Sequence, residues 1–280
     1  MLGAIIGDMM GSIYEYKKPE NKEIPRTNMK YHMTDDSYLT ISVATILLKH
    51  YPFNFSKDSL KVIQEDLIDK FSKIVRGHMG AGWGASFFQW ARLPPSVKKP
   101  YYSYGNGSAM RISPVGWMAK SEEEVKILSK AVSEITHNHP EGLKGAEAIA
   151  MCIFLALNGK SKDEIRDYVI EHYYPQLVSI DYQLLLNHYE FDVSCQGSVP
   201  EAIYCFLIST GLEDAIKTAI SIGGDADTIG AMAGSIAEAF YQKDALSDFE
   251  KEFLYMSIDN EVEDLVRRFH DAIHSKKFHN

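Results

Sequence analysis

Gly223-Gly224-Asp225-Ala226-Asp227-Thr228-Ile229-Gly230-Ala231-Met232-Ala233-Gly234 is the stretch that decides the reading of this chain. It opens on a glycine pair, crowds two carboxylates and a hydroxyl into four residues, and runs into an apolar segment of small residues. The pattern predicts a helix from Asp225 to Tyr241 that starts at the acids. Thr and Asp are favoured at helix starts by hydrogen bonding and by the helix dipole. Capping needs one oxygen, whereas this start carries three oxygen-bearing side chains. Gly230, Ala231, Ala233 and Gly234 predict tight packing in the interior. Carboxylates buried there need partners, and a hard divalent cation takes oxygen ligands of this kind.

A second cluster, Thr34-Asp35-Asp36-Ser37, lies near the other end of the sequence. Thr34 reads as an N-cap, with Asp35 and Asp36 in the first turn of an apolar helix running from Asp36 to His50. Taken alone, this is ordinary capping. Side chains at a helix start can project beyond its end, so two such clusters far apart in sequence point to one metal site closed by the fold.

Helical periodicity is nearly continuous elsewhere. Leu2 to Tyr14 carries Gly3, Gly7 and Gly11 on one stripe, which lets another helix backbone approach. Ser56 to Arg76 is amphipathic. Ser121 with Glu124 and Ser161 with Glu164 read as capping boxes, and Pro140 as the first turn of a further helix. His139 reads as its local cap. Leu246 to His274 reads as two closing helices. Lys17 to Met33, Arg92 to Gly107 and Tyr173 to Ser198 read as irregular. Convincing period-two strands are few, so the expected fold is all-α, a single compact multi-helix domain over residues 1–280.

The chain has 280 residues, enough for a sizeable core, and 38 acids against 29 bases, a net charge of -9. A negative chain makes a poor general polyanion binder. Cys152, Cys195 and Cys205 show no metal-ligand spacing and suit a reducing compartment. Met1 to Tyr16 has no basic n-region and carries Asp8 and Glu15, unlike a signal peptide. The apolar run from Ala146 to Leu157 is too short to span a bilayer. A soluble cytoplasmic protein, away from membranes and monomeric, is expected.

A wider set of motifs surrounds the two clusters. It comprises Gly7-Asp8 with Glu15, Thr34-Asp35-Asp36, Tyr104-Gly105-Asn106-Gly107-Ser108-Ala109-Met110-Arg111, Thr136-His137 and Gly223-Gly224-Asp225-Ala226-Asp227-Thr228-Ile229-Gly230. In this order, over roughly residues 1–240, the set resembles the ADP-ribosylglycohydrolase family. The resemblance implies a binuclear magnesium or manganese site at converging helix N-termini. Its ligands would be Thr34, Asp35 and Asp36 from one side, and Asp225, Asp227 and Thr228 from the other. It implies hydrolysis of the bond between ADP-ribose and an acceptor, with ADP-ribose as product. Glu15, otherwise a solvated acid beside Lys17 and Lys18, would close over the metals and the ribose. Either Glu15 or Asp36 would take the proton of the attacking water.

The remaining motifs would hold the ADP part. Gly82-Trp83-Gly84-Ala85-Ser86 is a glycine-rich turn whose N–H groups, at a helix start, can cradle pyrophosphate. On its own it reads as a tight turn with core aromatics; the resemblance makes Gly82, Gly84 and Ser86 a phosphate loop. Ser103, Gly105 and Asn106 would contact phosphate, Tyr104 would offer a face to adenine, and His137 would stand near the ribose. Glu238 departs from the small residue common at its place and reads as a surface change or a partner-facing edge.

Rival readings fare less well. Asp225-Ala226-Asp227 lies too late in the chain, after Gly-Gly, for a haloacid-dehalogenase phosphatase. Asp35-Asp36-Ser37-Tyr38-Leu39 lacks the last acid of a terpenoid-synthase motif. Another all-α magnesium-dependent pyrophosphate enzyme and an inactive, binding paralogue remain as alternatives, although a paralogue is expected to lose metal ligands. The acceptor stays open among arginine, serine, nucleic acid and O-acetyl-ADP-ribose.

Overall fold

The glycine stripe of the first helix meets the small residues of the helix that begins at the late acids. A Cβ added at Gly3 would penetrate the Gly234 carbonyl, and one at Gly7 the Gly230 carbonyl, while Gly11 faces the Asp227 backbone. Two backbones in contact leave no room for side chains on either surface. That is why both helices carry small residues at four-residue spacing.

The computed structural model describes residues 1–241, 247–257 and 260–274. Among the described residues there are fourteen α-helices and no named strand. They are α1 Leu2–Gly11, α2 Asp35–His50, α3 Lys57–Gly77, α4 Ala85–Arg92 and α5 Ser113–Met118. Next come α6 Glu122–Ser133, α7 Pro140–Leu157, α8 Lys162–His172, α9 Tyr182–His188 and α10 Cys195–Ile208. The chain ends with α11 Leu212–Ser221, α12 Ala226–Tyr241, α13 Asp248–Ser257 and α14 Asn260–His274. The predicted start of the closing pair, Leu246, falls outside the described residues. A contiguous apolar core runs from α1 through α7 and α10 to α12. No described helix is long and apolar enough to cross a membrane.

The helix starts follow local chemistry. Ser56 caps α3 by accepting from Ser59 N, and His139 caps α7, with Pro140 at its first position. Ser161 and Glu164 form a complete capping box. Ser121 makes only half of one, because Glu124 accepts from Lys120 N instead of the cap residue. Glu238 is neither a surface change nor an edge. It is buried, and its carboxylate accepts from Leu2 N at 3.1 Å and Gly3 N at 2.9 Å, capping α1 from a distant part of the chain.

The stretch from Tyr173 to Ser198 is more ordered than its sequence suggests. It contains a 3₁₀ turn at Pro175–Ser179, the helix α9 and the first turn of α10. Asp181 caps α9 through Leu184 N, and Tyr182, Leu185 and Leu186 rest partly buried on the core, but seven residues are too few for this stripe to stand out in the sequence. Pro200 lies inside α10, where proline removes one backbone donor from the helix.

Candidate active site

Asp8 organises the junction between the two acidic helix starts. It is fully buried in α1 and accepts from Thr34 N at 3.0 Å, Thr34 Oγ1 at 2.6 Å and Ser37 N at 3.1 Å, and also from Ser37 Oγ. It therefore does the work of an N-cap for α2 from another helix. The Thr34 side chain does not cap its own helix; its hydroxyl is spent on Asp8. On the other side, Gly223 and Gly224 have φ of 80° and 70°, a left-handed pair that glycine adopts without penalty. The pair turns the chain sharply and delivers Asp225 and Asp227 at the start of α12. Thr228 Oγ1 then donates to Asp36 Oδ2 at 3.2 Å, joining the two clusters across 192 residues of sequence.

Carboxylates thus crowd one place. Oxygens of Asp8, Asp36 and Asp227 lie within 4.8 Å of one another, as do those of Glu15, Asp225 and Asp227. Burial, then the charge of Asp227, holds the Asp36 carboxyl well above its ordinary range. Burial, then Asp8, does the same at Asp35, and burial, then Asp225, at Asp227. Asp8 is raised by burial despite its four donors. Asp225 is pushed up to about 6 by burial, opposed first by a 2.6 Å hydrogen bond from Asn106 Nδ2. Asp36 Oδ1 is buried with no hydrogen-bond partner. An orphaned carboxylate oxygen among mutually repelling acids has the donor chemistry that fits a hard divalent cation.

Asp35, Asp36, Asp225 and Asp227 form the floor of a cavity of about 510 Å³, with Asp8 buried behind them. One wall is the glycine-rich turn: Gly82, Gly84 and Ser86 line it with Trp83 and Phe87. The turn is tied to the floor, since Asp35 N donates to Ala81 O at 2.8 Å. The opposite wall is the segment Ser103 to Gly107 together with His137. Asn106 N donates to Val193 O at 2.8 Å and Cys195 N to Tyr104 O at 2.9 Å, which pins the segment to the start of α10. At the mouth, Tyr16 stacks on Phe191 with ring centroids 5.7 Å apart, beside Glu15.

Most residues singled out in the sequence therefore meet in one cavity. Glu15, Asp35, Asp36, Gly82, Gly84, Ser86, Ser103, Gly105, Asn106, His137, Asp225, Asp227 and Thr228 all line it. Thr34 is buried behind the floor, turned towards Asp8. Tyr104 is not part of the lining. In this extended segment alternate side chains face opposite ways, so Ser103 and Gly105 face the cavity while Tyr104 is 51% exposed, its ring 5.4 Å from that of His139. Sequence reasoning gave no role to Asp8, Arg111, Tyr16, Trp83, Tyr101 or Phe191. For Asp8 a signal existed: a lone acid inside an otherwise apolar, glycine-striped helix.

An all-helical protein with acid-bearing helix starts at the floor of a glycine-walled cavity has donors suited to a divalent cation and a wall suited to phosphate. The comparisons define the class more closely. The family model described as ADP-ribosylglycohydrolase matches residues 1–277, further than the motifs alone reach. The chain belongs to the ADP-ribosylglycohydrolase family, hydrolases that act on ADP-ribosylated substrates. It is 25% identical over 321 residues to ADP-ribosylhydrolase ARH3 of Mus musculus, covering 86% of this chain and 82% of that protein. It is 22% identical over 268 residues to ADP-ribosylarginine hydrolase Tri1 of Pseudomonas putida, covering 86% of this chain and 69% of that one. A solved structure described as an ADP-ribosylglycohydrolase-related protein complex shares the fold, with a TM-score of 0.69 at 20% identity over 96% of both chains.

Proposed function

We propose that this chain hydrolyses the N- or O-glycosidic bond between ADP-ribose and an acceptor, using two divalent cations, magnesium or manganese. Thr34, Asp35, Asp36, Asp225, Asp227 and Thr228 would hold them. The observation that carries the reading is the convergence of both acidic helix starts, with Asp36 Oδ1 unpartnered, on the floor of one cavity. Bound there, such ions would polarise ribose hydroxyls and acidify water.

The protein's own groups have separable tasks. Glu15, at the cavity mouth beside Asp225 and Asp227, takes the proton of the attacking water; Asp36 is the other candidate for that task. Water attacks the anomeric carbon, the bond to the acceptor breaks with its electron pair, and the acceptor leaves with a proton. The anomeric carbon develops oxocarbenium character, which the surrounding carboxylates stabilise. Asn106 holds the Asp225 carboxylate in place. The Gly82 to Ser86 turn, at the start of α4, offers backbone N–H groups to the pyrophosphate, together with the Ser103 hydroxyl, which accepts from Gly105 N at 3.1 Å and keeps its own proton to give. Tyr104, the adenine face expected from the sequence, points away from the lining, so it meets the adenine only where the base leaves the cavity. A cavity of about 510 Å³ is of the size that encloses ligands of this class.

An inactive paralogue is disfavoured, because every candidate ligand is present. Three unpaired, buried cysteines suit a reducing cytoplasm. The test is a release assay over a panel of defined linkages, each with magnesium, with manganese and with chelator. Metal-dependent release of ADP-ribose from at least one linkage supports the reading and names the acceptor. No release from any linkage, with no ADP-ribose binding at millimolar concentration, rejects it.

A further inference from the structure

Arg111 heads the fully buried side chains by volume, and among the described residues it forms no ion pair with a carboxylate. Its guanidinium lies over Phe71 at 4.9 Å and near Phe87 at 6.0 Å, and its Nε and Nη1 have no hydrogen-bond partner. Its directed contacts run from Nη2: to Val132 O at 3.3 Å and to Thr136 Oγ1 at 2.8 Å. A guanidinium can only donate, so the Thr136 hydroxyl accepts from Arg111 and keeps one proton to give. Two acceptors compete for that proton. His137 Nδ1 is at 2.7 Å, whereas Ser133 O is at 3.5 Å, the outer limit of a hydrogen bond. Were the hydroxyl to accept from both Arg111 and an Nδ1–H, its own proton would have only the 3.5 Å contact, so the better satisfied arrangement is the one in which Nδ1 accepts and is bare. A neutral imidazole then carries its proton on Nε2.

The other end of the ring faces ligand space. His137 lines the cavity, and no protein group is hydrogen-bonded to its Nε2 among the described residues. Glycines keep that nitrogen open: a Cβ at Gly107 would lie 3.2 Å from Nε2, and one at Gly105 3.7 Å away. Burial and the neighbouring Arg111 both disfavour a charged ring.

We infer that Arg111 is a positioning residue: through the Thr136 hydroxyl it holds His137 as an Nε2-protonated, neutral donor to a ligand oxygen in the cavity. The ring is thereby a binding group and not a proton-transfer base. The identity of that oxygen, a hydroxyl or phosphate oxygen of ADP-ribose, rests on the function proposed above; the relay itself does not.

The test uses the full chain labelled with ¹⁵N-histidine, observed by long-range proton–nitrogen correlation at pH 7. The expected spectrum of His137 has a bare Nδ1 and a protonated Nε2. Thr136→Val keeps the side-chain shape and removes the relay. It should release the ring to a mixture of tautomers, weaken ADP-ribose binding by roughly three- to tenfold, as for one lost hydrogen bond, and raise KM with little change in kcat. Thr136→Ser should restore both the spectrum and the affinity. Arg111→Lys should show the same spectral change; if it does not fold, the Thr136 pair still decides. An Nδ1-protonated or cationic ring in the unaltered protein overturns the inference. So does a Thr136→Val protein with unchanged tautomer and affinity. Failure of ADP-ribose to bind the unaltered protein would defeat the functional reading instead, and the spectrum would still decide the relay.

Discussion

Asp225→Asn should make the metal-free protein more stable while removing its ability to be stabilised by metal. The Asp225 carboxyl is 5% exposed and is pushed from 3.8 to about 6 in the fold, so the folded state binds its proton more tightly than the unfolded chain does. A raised acid contributes stability that is fully present below the unfolded value and is lost as pH rises through the folded one. The gap between 3.8 and about 6 corresponds to roughly 3 kcal/mol of destabilisation at neutral pH. An amide has the same shape, carries no charge, and still accepts the hydrogen bond that Asn106 Nδ2 gives. Denaturant unfolding in chelator at pH 7 should therefore show the variant more stable by up to about 3 kcal/mol. The advantage should shrink towards zero as pH falls to 4 and stay flat above pH 6. Magnesium or manganese should reverse the order, because a cation that binds the folded state stabilises it by mass action. A metal-free variant no more stable than the unaltered protein at pH 7, with the same pH dependence, would refute the claim that buried charge repulsion strains this site.

Other substitutions separate chemistry from packing. Glu15→Gln should leave the melting temperature unchanged, since the side chain is only partly buried, yet slow ADP-ribose release by roughly a hundredfold; equal turnover removes Glu15 from the mechanism. Tyr104→Ala should weaken ADP-ribose binding by about 1–3 kcal/mol, the scale of one base stack. If calorimetry finds instead that only Tyr16→Ala weakens it, the adenine sits at the cavity mouth. Gly7→Ala drives a methyl group into the Gly230 carbonyl and should cost more than the roughly 1–3 kcal/mol of ordinary overpacking, read by chemical denaturation.

The helical architecture was legible because its signals are local. Small-residue spacing in α1 and α12, the Ser161–Glu164 box and Pro140 each fix a helix or its packing face within a few residues. The meeting of Thr34-Asp35-Asp36 with Asp225-Ala226-Asp227-Thr228 was also legible, because an excess of oxygens at two helix starts is visible without a structure. What escaped is non-local. Asp8 caps α2 across 26 residues, Glu238 caps α1 across 235 or more, and Arg111 finds Thr136 25 residues away. Each of these charged groups takes its partner only after the helices have packed. Tyr104 shows the complementary limit: a motif places a residue near a cavity, but the facing of one side chain in an extended segment depends on register.

Asp8 also ties the close contact between α1 and α12 to the acids. It sits on α1 one residue after Gly7, where the α1 and α12 backbones touch. From there its carboxylate grips the start of α2 through Thr34 and Ser37. A single side chain thus links the glycine contact to one acidic helix start, while Thr228 links the other through Asp36. Mutually repelling carboxylates would spread apart on a compliant scaffold. Here spreading would require the α1–α12 backbones to separate, because neither helix has side chains at the contact to take up the motion. The cost of holding the acids together is therefore met by packing outside the cavity, which keeps their oxygens aimed inward whether or not a cation is bound.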